Sequence, residues 1–164
     1  MDERDEAFLR RSFEVARRAV EHGNLPFGAI LVNGDRKIVL ESENRSITEH
    51  DFTAHAEVML MHEAARRFEQ EYLSRCTMYS SAEPCPMCAG SVYWAGVRRV
   101  VYGLDIPSLD AVIGADPLNP TPHLRAAVVL AGGKIPITLE GPALVEEAIA
   151  VHDGRWEPEG HDRT

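Results

Sequence analysis

Two prolines with a single residue between them, in "SSAEPCPMCAG", constrain the course of this chain more firmly than any other feature. Proline lacks the N–H that a strand ladder needs, so Pro84 ends the run "TMYSS" as a strand. Pro86 suits the first turn of a helix, where a missing donor costs little. The spacing therefore predicts a strand-to-helix turn at Cys85, a helix from Pro86 to about Ala95, and Cys88 one turn further on. A Cys-x-x-Cys pair so placed fits a redox dithiol, half of a structural zinc cage, or the thiolate arm of a catalytic metal site.

Bulk properties narrow the setting. The chain has 164 residues, 45% hydrophobic and 26% charged, which suits a single domain spanning 1–164 with its own core. Apolar runs such as "AAVVLAGG" are too short to span a bilayer, and "MDERDEAFLR" is too charged for a signal-peptide core. No membrane partner and a cytoplasmic location are therefore expected. Three cysteines without an export signal argue for metal or redox chemistry over a disulfide framework. The net charge is −9, and acids surround most basic pairs, among them Arg10-Arg11 and Arg98-Arg99. That balance disfavours a nucleic-acid partner and favours a small-molecule substrate.

Hydrophobic periodicity predicts a helix from Asp5 to His22 and a hairpin of "FGAILVN" with "RKIVLES" around Asn33-Gly34-Asp35. A second helix is expected from Ala54 to Phe68. "RRVVYGL" reads as a strand, followed by a Pro/Gly/Asp-rich loop from Asp105 to Pro122. A helix in "HLRAAVVLA", a strand in "IPITLE" and a helix from Ala143 to His152 complete the order. Hairpin strands followed by alternating strands and helices describe an α/β fold, a mixed sheet with helices on both faces.

The stretch that gives the cysteines a context is "TAHAEV", which puts His55 and Glu57 at the start of the second helix. There both side chains can address one point off the helix end. His55, Cys85 and Cys88 make three ligands for one zinc ion per chain, leaving a fourth position for water or hydroxide. Glu57 then stands as the proton handler. Helix N-termini favour thiolates, and zinc lowers the pKa of bound water. Attack on a ring carbon bearing an amino group, with Glu57 passing the proton to ring nitrogen and then to ammonia, is hydrolytic deamination. A closed cage is disfavoured because only one Cys-x-x-Cys pair exists and Cys76 sits inside a strand. A redox use stays open on local grounds.

These motifs resemble the zinc-dependent cytidine deaminase superfamily, with its His-x-Glu…Pro-Cys-x-x-Cys signature. "PFGAILV", "TAHAEVMLM", "EPCPMCAGSVYWAGVRRVVYGL" and the Asp105–Asp116 region are similar to its bacterial guanine and nucleoside deaminase branch. The resemblance implies a three-layer α/β/α sandwich with a five-stranded mixed sheet, and usually a homodimer or larger assembly. It implies zinc ligation by His55, Cys85 and Cys88, with Glu57 catalytic. It also implies substrate contacts from Phe27, which would stack on the base, Asn44, which would hydrogen-bond it, Ala56, Trp94 and Asp116. The last would read a purine's amino and imino edge. Glu83 reads instead as an anchor for the helix entrance.

Some relatives close the pocket with a C-terminal aromatic, whereas this chain ends "HDGRWEPEGHDRT" without a terminal tyrosine. Residues 152–164 are the candidate closing segment, with Trp156 and His152 as its ring-bearing residues. The expected substrate is a purine base or nucleoside, guanine-like. The alternatives are a tRNA adenosine, a cytosine or an amino-triazine, or outside catalysis a non-catalytic zinc or redox domain.

Overall fold

A computed structural model of the chain describes residues 1–114, 116, 119, 120 and 122–156. The expected five-stranded mixed sheet is present, in the order β2-β1-β3-β4-β5. Its strands are β1 Gly28–Val32, β2 Ile38–Glu43, β3 Thr77–Ala82, β4 Arg99–Leu104 and β5 Thr138–Glu140. β1 is antiparallel to both β2 and β3, while β3, β4 and β5 run parallel.

Helices cover both faces, giving three α/β/α layers. α1 (Glu3–Glu21) and α7 (Val145–Ile149) lie on one face. α2 (Ala56–Arg67) and α4 (Pro86–Ala95) pack together on the other, with α3 (Gln70–Leu73) and α6 (Ala126–Ala131) beside them. Because side chains alternate along a strand, neighbouring residues feed opposite cores. Ile30, Tyr79 and Val101 pack with Leu9 and Phe13, whereas Leu31, Met78 and Val100 pack with Leu60 and Val92. Gly28 lets α1 lie directly on β1, since a Cβ there would stand 2.4 Å from the Ala16 nitrogen.

Two local expectations change. The hairpin turn is wider than Asn33-Gly34-Asp35: Asn33 Oδ1 accepts from the Asp35 and Lys37 amides, and Arg36 takes the positive φ of 60°. The stretch read as a loop from Asp105 to Pro122 contains a further helix, α5 (Ile106–Ile113). Asp105 caps it by accepting from the Ser108 amide at 3.0 Å, and Pro107 falls in its first turn, where proline is tolerated. Among the described residues, no helix is long and apolar enough to cross a membrane.

Candidate active site

The fold collects the sequence motifs at one edge of the sheet. β3 and β4 end there, and the antiparallel β1 begins there, immediately after Phe27. Asn44 follows β2 at the same edge and donates its amide to the Phe27 carbonyl at 2.9 Å. Such an edge, where parallel strands hand over to helices, is where α/β sheets place ligands.

His55 and Cys85 are the N-cap residues of α2 and α4, both in extended backbone conformation. Neither side chain caps its own helix, so both are available to a ligand. His55 Nδ1 lies 3.7 Å from Cys85 Sγ and 3.6 Å from Cys88 Sγ, and the two sulfurs are 3.4 Å apart. A tetrahedral zinc with ordinary bond lengths has N···S edges of about 3.5 Å and an S···S edge of about 3.8 Å. The donor atoms therefore stand where zinc ligands stand, and His55, Cys85 and Cys88 could hold the ion.

The local electrostatics agree. A hydrogen bond from Cys88, reinforced by His55, pulls the Cys85 thiol down to about 4 against the opposing effect of burial. Cys88, which keeps that proton and is itself buried, is pushed well above the usual thiol value. A zinc ion would replace this shared proton and hold both as thiolates. Burial works against the His55 imidazolium, yet the Cys85 thiolate and the Glu57 charge outweigh it and raise its pKa.

Glu57 follows His55 in the first turn of α2 and is buried. Ser80 Oγ donates to its Oε1 at 3.1 Å, and Cys88 Sγ lies 3.5 Å from its Oε2. Burial raises its pKa above the ordinary carboxylate value. A carboxyl group so placed can take up and return a proton beside the three donors.

These groups face a cavity of about 300 Å³ whose lining includes His55, Glu57 and Cys85. Phe27 and Asn44, which the resemblance implies as substrate contacts, line it. Asn44 is buried, and its Oδ1 accepts from the Ser46 amide and hydroxyl, which orients the amide group. Ala56, Trp94 and Asp116, the other residues that the resemblance implies as contacts, are not part of this lining. Trp94 is 78% exposed and does not line the cavity, because it points outward from α4, about 120° round the helix from Cys88. Ala56 is fully buried in the core between α2 and the sheet. Asp116 is absent from the lining, to which its loop contributes Asn119, Pro120 and Pro122.

The cytidine and deoxycytidylate deaminase zinc-binding region matches residues 2–104, a span that holds all three donors and Glu57. The chain belongs to this deaminase family. It is 32% identical to a probable cytosine deaminase of Schizosaccharomyces pombe, over 96% of this chain and 95% of that protein. It is 41% identical to the guanine deaminase of Bacillus subtilis, over 61% of this chain and 64% of that protein. Among solved structures, a tRNA:A34 deaminase superposes with a TM-score of 0.70 at 27% identity, covering 89% of this chain and 99% of that one. The guanine deaminase of Nitrosomonas europaea gives 0.68 at 26% identity, covering 89% and 81%.

Other walls of this deaminase's cavity were not singled out from the sequence. Leu25 and Phe52 line it, Phe52 at 82% exposure, as do Ile106 and Leu109 of α5. The overlooked helix hid the last two. Glu83 also lines the cavity, and it anchors α5 and α6 rather than the entrance of α4. Behind Phe27 lie His152 and Trp156, with ring centroids 5.5 and 6.4 Å from it. Residues 157–164 of the expected closing segment lie outside the described residues.

Proposed function

We propose that this deaminase removes the exocyclic amino group of a free nucleobase by hydrolysis. The observation that carries the reading is the composition of one small cavity. His55, Cys85 and the buried Glu57 carboxyl line it with the Phe27 ring, and Cys88, the third zinc-type donor, stands directly beside His55 and Cys85. Its volume of about 300 Å³ is at the lower end of ligand pockets, which suits one base better than a nucleotide.

Zinc, when bound by His55, Cys85 and Cys88, supplies the Lewis acid that makes water nucleophilic near neutral pH. Glu57 holds the transferred proton on a carboxylate oxygen and gives it first to the ring, then to the departing amine. Phe27 offers a face for the ring. With Asn44 Oδ1 engaged by Ser46, its Nδ2 is the end left to donate to a ring acceptor.

Cytosine heads the list of bases. The alignment to the probable cytosine deaminase spans 157 residues and leaves at most seven of the 164 outside, so it includes His152 and Trp156. Guanine is the second reading, favoured by the higher identity to guanine deaminase over a shorter span. An ammonia-release panel of cytosine, guanine, adenine, their nucleosides, an amino-triazine and a tRNA anticodon stem tests both. Turnover of the tRNA alone would overturn the free-base reading.

We also propose a homodimer. Met87 and Trp94, seven residues apart on one side of α4, are 37% and 78% exposed and leave an uncovered apolar strip. Light scattering should give twice the chain mass, and Trp94→Glu should reduce it to one.

A further inference from the structure

Glu83 stands two residues ahead of Cys85, its side chain wholly buried, and its carboxylate gathers three partners. Oε2 accepts from the Ile106 amide at 3.1 Å, and Oε1 accepts from the Ala126 amide at 2.9 Å. Arg125 Nε donates to both oxygens, at 2.9 and 2.7 Å. Ile106 and Ala126 are the first residues of α5 and α6, so one carboxylate meets the positive ends of two helices. Arg125 Nη2 also approaches Asp105 Oδ2 at 3.7 Å, drawing the two ends of the stretch 105–126 closer.

That stretch forms much of the cavity wall, through Ile106, Leu109, Asn119, Pro120 and Pro122. Its two ends are therefore fastened at one point, and that point belongs to the turn that presents Cys85. Closing a loop costs chain entropy, and a buried carboxylate sharing four hydrogen bonds offsets that cost. We infer that Glu83, with Arg125, is a positioning residue that fixes the base-binding wall against the metal-binding turn, and so sets base affinity and selectivity. The assignment of this wall to a base rests on the function proposed above; the fastening itself does not.

Glu83→Gln preserves shape but turns an amide donor toward partners that are all donors. Arg125→Gln leaves Glu83 intact and removes the guanidinium, at a side chain 37% exposed, so it tests the idea even if Glu83→Gln does not fold. In the zinc-loaded protein both should keep one zinc per chain, raise KM for the best base of the panel by about tenfold, and leave kcat within about threefold. Without any substrate, amide exchange across 105–126 should rise in both, and Arg125→Lys should restore part of the loss. Unchanged exchange with unchanged KM in Arg125→Gln would overturn the inference, as would a loss confined to kcat or to zinc content. If no base in the panel is turned over, the proposed function fails, and exchange across 105–126 still decides the role of Glu83.

Discussion

Trp156 donates its indole Nε1–H to His152 Nδ1 at 3.0 Å, and the two rings stack with centroids 6.1 Å apart. Both lie against Phe27, so the tail backs the ring proposed to stack on the base. Removing the indole should loosen Phe27 without touching the zinc donors. Trp156→Ala is expected to raise KM by about fivefold to tenfold, with Trp156→Phe intermediate because it keeps a ring but loses the donor. Steady-state kinetics across the base panel measure this; equal KM values for wild type and Trp156→Ala would remove the tail from the binding wall.

His152 gives a pH signature of its own. It is buried, its Nε2 has no hydrogen-bond partner among the described residues, and burial pushes its pKa down to about 4. In the unfolded chain a histidine titrates at about 6.5. The unfolded state therefore binds a proton that the folded state refuses, so stability is full above that value and falls as pH drops toward 4. The contribution amounts to about 3 kcal/mol at most. Urea unfolding between pH 7 and 4 should show a shallower decline for His152→Phe than for wild type; parallel curves would contradict it.

A different window belongs to Asp5, at the opposite end of the sheet. Arg99 pairs with both of its oxygens at 3.0 and 2.9 Å, and Tyr79 donates to it as well. The guanidinium holds this buried carboxyl far below the usual range. A depressed carboxyl contributes stability that is present above its unfolded pKa of about 3.9 and is lost as pH falls through the folded value. Asp5→Asn, which leaves Arg99 and Tyr79 poorly matched, should cost about 3 kcal/mol at pH 7. The gap from wild type should narrow in urea titrations at pH 3; a constant gap would refute the charge argument.

How far the sequence reveals this structure depends on the range of each constraint. Pro84 and Pro86 act through their own backbone, so the turn at Cys85 and the bounds of α4 follow directly. His55, Glu57, Cys85 and Cys88 carry chemistry in their spacing, and the fold brings them together. α5 escaped because Asp105, Pro107 and Gly114 are loop-forming residues by composition, yet here they cap, open and end a helix. Trp94 was placed in the cavity by resemblance, although the turn of α4 carries it to the outer surface. The role of Glu83 depends on amides 23 and 43 residues away, and no local pattern encodes that.

The sharpest test of the chemistry lies with Glu57. Gln at this position keeps the shape of the side chain and an oxygen that can accept the Ser80 hydroxyl, which donates to Glu57 Oε1 at 3.1 Å. It cannot take up and return a proton. Removing a positioned acid–base group typically costs 10²- to 10⁴-fold, so ammonia release should fall by about a thousandfold. Zinc content should stay near one per chain, and the unfolding temperature should hold or rise, because an amide is easier to bury than a carboxylate. Cys88→Ala should do the reverse, losing zinc and lowering the unfolding temperature together, since metal binding is part of folding free energy where ligands come from two helices. Metal analysis, ammonia assay and thermal unfolding on the two variants separate the roles. A Glu57→Gln protein with wild-type turnover would sink the assignment of Glu57 as the proton carrier.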